Sequence, residues 1–297
     1  MSPRRIELTV TAEQAGQKVD YLLRRVLGLS GSVIRHFKRV ERGITLDGTA
    51  VFTNVLVREG QLLSVQVGDE VRKSEIPPIP GPLEILYEDA DLVVVSKAPG
   101  VPSHPGPGHW DDTLGNFLLA HYDAHGETLT DFHPAHRLDK GTSGLMVVAK
   151  HGHAQEMLKK QLHSADFRRI YLAVCEGTPS PSTGVIDAPL GPVDTSKVEQ
   201  EVRPDGKTAR THYEVLKAVN GRSLLRLELE TGRTHQIRVH MAHLGHPLTG
   251  DFLYGTENKD LIARPALHSS ELSFRHPISG EILQFSAALP EDMQKLI

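Results

Sequence analysis

The sequence predicts a strand-rich α+β protein built in two parts, on three observations. Short apolar runs alternate with turn signals over most of the chain, few stretches carry helical spacing, and a proline-rich segment sets a basic N-terminal region apart. Residues 1–73 therefore read as a small helix-plus-hairpin domain, 74–82 as a linker and 83–297 as the main domain.

The elements follow in chain order. Val19, Leu22, Leu23, Val26 and Leu27 fall at helical spacing, and Ser30-Gly31-Ser32 gives a polar start to a second helix carrying Val33, Ile34 and Phe37. Strands are expected at 43–48 and 61–67, the first ending in the two-residue hairpin signal Asp47-Gly48. In Ile76-Pro77-Pro78-Ile79-Pro80-Gly81-Pro82, proline removes backbone donors and disfavours helix, which leaves a stiff extended connector. Beyond it the apolar runs predict strands at 83–87, 92–95, 145–148, 171–174, 211–216 and 224–229, with helices at 113–122 and 153–162.

With 297 residues, 39% hydrophobic and 24% charged, the chain can bury one large and one small core, which excludes low-complexity disorder as its main state. The single cysteine, Cys175, excludes an intramolecular disulfide, and its place in an apolar run makes it an inert core thiol. No apolar run could span a bilayer and no apolar signal segment opens the chain, so a soluble, cytoplasmic protein is expected. A net charge of −4 argues against a nucleic-acid partner, but distribution outweighs the sum. The first 73 residues hold 12 Lys and Arg against 8 Asp and Glu, so the basic excess lies at one end.

Two polar blocks carry the chemistry. His136-Arg137-Leu138-Asp139-Lys140-Gly141-Thr142-Ser143-Gly144 sets one aspartate in a turn that runs straight into the apolar run 145–149. A carboxylate fixed at the mouth of a buried strand can be presented for reaction, although a lone Asp139 would more often be a turn or cap residue. Thr231-Gly232-Arg233-Thr234-His235-Gln236-Ile237-Arg238 follows an alternating strand and brings two arginines together, one able to hold a carboxylate and the other a phosphate. Tyr171 alone would read as a core aromatic, whereas Arg168 and Arg169 beside it have little apolar reason to be buried and suit phosphate contacts. The 17 histidines include the groups His133/His136 and His235/His240/His243, but no HExxH or paired-cysteine spacing accompanies them, so no metal site is expected. His104 and His109 lie in a Pro/Gly loop that suggests no role by itself.

Together with Lys97-Ala98-Pro99-Gly100 before them and Leu248-Thr249-Gly250-Asp251-Phe252-Leu253-Tyr254-Gly255 after, these blocks resemble the RluA-type pseudouridine synthases, which isomerise uridine within structured RNA. The resemblance covers almost the whole chain and departs from the family at Ala98, where proline more often follows the lysine directly. It implies a pseudouridine synthase fold with a mixed, largely antiparallel central sheet. It also implies Asp139 as the essential carboxylate, Arg238 as its ion-pair partner and Tyr171 as the ring stacked on the target uracil. The extruded base would leave a space filled by Arg137, with Thr142 and Ser143 orienting the loop and Arg233 bracing it or binding phosphate. The helix-plus-hairpin region resembles the alpha-L RNA-binding module of a ribosomal protein, with Arg35, Lys38 and Arg39 on its basic face. The resemblance further implies a monomer needing no cofactor, with RNA as partner, large-subunit ribosomal RNA ahead of transfer RNA. Two other classes compete: a non-catalytic RNA chaperone or assembly factor, and a metal-dependent phosphoesterase drawing on Asp139, Asp251 and the histidines.

Overall fold

The computed structural model describes residues 3–127, 129–196 and 198–297. The chain opens with β1 (Arg5–Thr9), a strand whose charged composition hides it from apolar patterning. The first expected helix forms only as α1 (Val19–Tyr21) and a π-wound turn at Leu22–Val26, while α2 (Gly31–Phe37) starts as its cap predicts, the Ser30 hydroxyl accepting from the Val33 N–H. β2 (Ile44–Leu46) and β3 (Thr49–Ala50) form the hairpin, with Asp47 and Gly48 at φ 48° and 76° as a two-residue turn requires. With β4 (Leu62–Gln66) they complete an antiparallel sheet of order β1-β4-β2-β3, whose own apolar core buries Leu22, Leu23, Leu63 and Val65.

The connector forms neither helix nor strand, and it is not free. The Asn116 amide donates to the Pro77 carbonyl at 2.8 Å, and Ile76 packs against the main core, because proline leaves carbonyls that need donors from elsewhere. Arg4 joins the two parts, its Nε and Nη2 gripping both oxygens of Asp91 at 2.7 and 2.9 Å. His151 also bonds Asp91. Burial works to raise the proton affinity of this carboxyl, but His151 and Arg4 prevail and hold it well below the usual carboxylate range.

The main sheet takes in β5 (Glu84–Glu88), β6 (Leu92–Lys97), β7 (His133–Pro134), β8 (Ser143–Ala149), β9 (Arg168–Glu176), β10 (Thr183–Asp187), β13 (Arg210–Val219), β14 (Arg222–Leu229), β15 (Leu267–Arg275) and β16 (Ile282–Ser286). β11 (Leu190–Pro192) and β12 (Gln200–Val202) pair separately. The sheet order is β10-β13-β14-β9-β15-β8-β6-β5, with β16 on β15 and β7 on β8. Only β8 and β15 run parallel, so the sheet is mixed and largely antiparallel. α3 (Leu114–Ala124) and α4 (Gly152–Gln161) match their expected spans within two residues, and α5 (Gln236–His243) and α6 (Glu291–Gln294) complete the element set.

β15 is central yet was not expected, because His268, Ser269 and Ser270 interrupt its apolar pattern. Each is buried with a partner: His268 with the Ser143 hydroxyl, Ser269 with the Leu145 carbonyl and Ser270 with the Ile170 carbonyl. Where β15 meets β8, Gly144 (φ 106°) leaves no room for a side chain, since a Cβ there would lie 2.2 Å from the Ser269 carbonyl oxygen. The loop bearing Asp139 enters the sheet at this close crossing. No helix among the described residues is long and apolar enough to cross a membrane.

Candidate active site

Asp139 sits on the loop before β8, and that loop is fastened from three sides. The Ser103 hydroxyl donates to the Leu138 carbonyl and accepts from the Leu138 N–H, and the Gly100 N–H donates to the Lys140 carbonyl at 2.8 Å. From beneath, the buried Lys97 ammonium donates to the carbonyls of Ala98, Val101 and Lys140 at 3.0, 2.8 and 3.3 Å. The His104–His109 loop, mute in sequence, also braces it: Lys140 donates to His109 Nε2, so His109 Nδ1–H donates to Asp112. Thr142 and Ser143 are buried and close the turn, the Thr142 N–H donating to the Asp139 carbonyl.

Burial pushes Lys97 down to about 7, with Asp139 opposing that shift and Arg264 adding to it. Its ordinary value is 10.5, so between about pH 7 and 10.5 the unfolded chain holds more protons at this site than the folded one. Stability contributed here therefore rises with pH across that window, by at most about 1.4 kcal/mol per pH unit. The melting temperature of the wild type is expected to gain on that of Lys97→Met between pH 7 and 9; parallel pH profiles would contradict this.

Arg238 faces Asp139, as the resemblance implies, and has a second carboxylate partner. It lies on α5, and its Nε and Nη2 form a two-point pair with Asp251, both at 2.7 Å. Nη1 is left facing Asp139 at 3.7 Å. Asp251, fully buried, also accepts the N–H groups of Leu253 and Tyr254, so the guanidinium is fixed by a carboxylate that takes no part in the pocket. Burial opposes the Arg238 charge, but Asp251 and then Asp139 more than compensate and hold its proton above the ordinary arginine range. The Tyr254 ring packs on the guanidinium, while its hydroxyl accepts from the Gln200 N–H and shares a hydrogen bond with His235 Nδ1. Burial lowers the proton affinity of His235.

A cavity of about 1000 Å³ joins these parts, lined among others by Asp139, Arg137, Tyr171, Arg169, Arg233 and Arg238. The Asp139 side chain keeps 28% of its surface exposed while Arg238 keeps 5%, so the carboxylate is the accessible partner of the pair. Tyr171 is buried beneath it, where burial raises its proton affinity, Arg169 opposes and Asp139 adds. Arg137 is exposed at the cavity, and Arg233 lines it while its Nε donates to the Thr208 carbonyl.

The two arginines before Tyr171 part company. Arg168 is half of a surface ion pair, its Nε and Nη2 on Glu228 at 3.0 Å each, and lines a neighbouring cavity rather than the one holding Asp139. Arg169, expected at the surface, is only 4% exposed. Residues 169, 171, 173 and 175 share one face of β9, and the last three of them pack in the main core. Arg35, Lys38 and Arg39 lie exposed on and just after α2, far in sequence from the cavity, and make no ion pair among the described residues.

The metal-dependent reading drew on Asp251, and the structure gives that carboxylate to Arg238 instead. The histidine groups do not converge either: His240 bonds Thr211 and the Ala188 carbonyl. Among the described residues, Asp89, Asp91 and His276 are the group close enough to share an ion, but Arg4, His151 and Tyr87 already occupy its carboxylates.

The family model described as RNA pseudouridylate synthase matches residues 91–243 of this chain. The chain is 41% identical over 271 residues to a Bacillus subtilis protein named Uncharacterized RNA pseudouridine synthase YjbO, covering 91% of this chain and 95% of the relative. It is 39% identical over 309 residues to Ribosomal large subunit pseudouridine synthase D of Vibrio cholerae, covering 98% and 94%. Among solved structures, Human RNA Pseudouridylate Synthase Domain Containing 4 superposes with a TM-score of 0.58 at 25% identity, over 71% of this chain and 90% of the other.

Proposed function

The chain belongs to the RNA pseudouridine synthase family, and from that premise we propose that it converts uridine to pseudouridine in large-subunit ribosomal RNA, with Asp139 as the reacting carboxylate. The observation that carries the reading is the carboxylate itself, held on a triply fastened loop, open to a cavity and faced by an arginine fixed from behind. The relatives named for the large ribosomal subunit support the choice of RNA.

Asp139 can serve in either of two ways. Its oxygen bonds to C1′ as the C1′–N1 bond breaks, or it takes the C2′ proton to give a glycal; in both, the bond's electron pair leaves with the uracil. The detached base turns, C5 bonds to C1′ as the Asp139–C1′ bond breaks or as Asp139 returns the proton to C2′, and C5 loses a proton while N1 gains one, so atoms balance without a metal or redox carrier. Arg238 orients the carboxylate, and Tyr171 stacks on the ring and assists the final proton removal. A base within folded RNA must leave its stack to reach the pocket, and Arg137, exposed at the rim, fills the space it vacates. Arg233 contacts a phosphate beside it.

The N-terminal module adds affinity through Arg35, Lys38 and Arg39. Replacing all three by alanine is expected to weaken RNA binding and lower the slope of log affinity against log salt by about two to three, with single-turnover rate at saturation unchanged. An unchanged salt slope would remove these residues from the interface.

Carbodiimide mapping of pseudouridines in unmodified large-subunit ribosomal RNA and bulk transfer RNA, each incubated with the enzyme, tests the substrate. New sites in the ribosomal RNA are expected; sites only in transfer RNA would move the target there. None in either, with RNA bound, would favour an assembly factor.

A further inference from the structure

Arg169 presents a buried charge with no ion-pair partner among the described residues. The residue is 4% exposed, and among the described residues its Nε has no partner and its one hydrogen bond is a long one of 3.4 Å to the Leu162 carbonyl. No carboxylate pairs with it among the described residues, and the Phe167 ring lies 5.8 Å from it. Leaving a desolvated cation unpaired costs several kcal/mol, so such a group points to an anion supplied from outside. Space is kept for it: a Cβ at Gly232 would lie 2.8 Å from Nη1. His136, also lining the cavity, is kept neutral by burial and by the Arg169 charge, and its Nε2 accepts the Val147 N–H, so its Nδ1 carries the proton and offers Arg169 no acceptor.

The position narrows the choice of anion. Arg169 and Tyr171 project from the same face of β9, about 7 Å apart along the strand, into the cavity that holds Asp139. A base stacked on Tyr171 would turn its edge toward Arg169. A phosphate, by contrast, would meet Arg233, which also lines the cavity.

We propose that Arg169 is a catalytic residue that binds the detached uracil as an anion, donating hydrogen bonds to its carbonyl oxygens. This rests on the uridine isomerisation proposed above. When the C1′–N1 bond breaks, the electron pair passes to N1 and spreads over O2 and O4, while C1′ is bonded by Asp139 or relieved by loss of the C2′ proton. Arg169 transfers no proton: its N–H groups face charge that exists only after bond cleavage, which favours the transition state over the bound uridine. A group kept charged in a water-poor pocket can hold the base through its rotation.

The test compares Arg169→Met and Arg169→Lys with wild type in single turnover at saturating RNA, alongside RNA affinity and thermal melting. Arg169→Met should lower the rate about 100- to 1000-fold. Affinity should change less than about threefold and the melting temperature should not fall, since an unpaired buried charge has been removed. Arg169→Lys should recover part of the rate. With 5-fluorouridine at the target position, followed as its loss from nuclease digests, the deficit should shrink, because the fluorinated base is the more stable anion.

Three results would overturn the inference. An unchanged saturated rate with weaker, less salt-dependent binding would make Arg169 a phosphate contact. A falling melting temperature with no rescue by lysine would make it a structural brace. An equal deficit with both bases would detach it from the leaving group. A wild type inactive on every RNA would remove the function reading itself, and this inference with it.

Discussion

Asp139→Asn is expected to leave the protein folded and RNA-binding while lowering uridine isomerisation by more than about 10,000-fold. The substitution keeps the size of the side chain and removes its charge and basicity, so the amide can neither bond to C1′ nor take a proton from C2′. The carboxylate holds no structural hydrogen bond among the described residues; its one ion-pair contact is Arg238 at 3.7 Å, and Arg238 is held independently by Asp251. Melting temperatures within a few degrees of each other and matched RNA affinities are therefore expected, with the difference confined to turnover. Retained activity would remove Asp139 from the chemistry.

Asp251→Asn should cost both stability and activity, though Asp251 is sealed from the cavity. Breaking one partner of a buried ion pair costs about 3–5 kcal/mol, because the remaining charge stays desolvated. The guanidinium, released from behind, is drawn fully on to Asp139 and caps the oxygen that must react. Adding Arg238→Met to Asp251→Asn should restore part of the lost stability, since no unpaired cation remains, but none of the activity. Chemical denaturation of both variants separates the two effects. A single variant as stable as wild type would show that the pair carries little of the fold, and full activity would show that Arg238 needs no anchor.

Much of this site was legible in the chain. The turn bearing Asp139 was visible because polar and apolar residues switch abruptly at Gly144, and the strand holding Tyr171 because its apolar run is unbroken after Ile170. Arg169 was misplaced because charge was weighed over alternation: its position two residues before a buried tyrosine on the same strand fixes its direction. Asp251 escaped because its role depends on α5 and the 248–255 segment meeting in space, and no local pattern encodes that. β15 escaped for a related reason, its serines and histidine being satisfied by neighbouring strands. The first helix shows the opposite error, apolar spacing promising more helix than the short α1 and its π turn deliver.

The central claim is that Asp139 drives uridine isomerisation in RNA, and release of tritium from RNA labelled at C5 of uracil tests it most directly. C5 gives up its hydrogen only when it bonds to C1′, so each tritium found in water reports one completed rearrangement. The account predicts release from unmodified large-subunit ribosomal RNA with wild type and none with Asp139→Asn. Equal release by both proteins, or none by a folded wild type bound to that RNA, would contradict it.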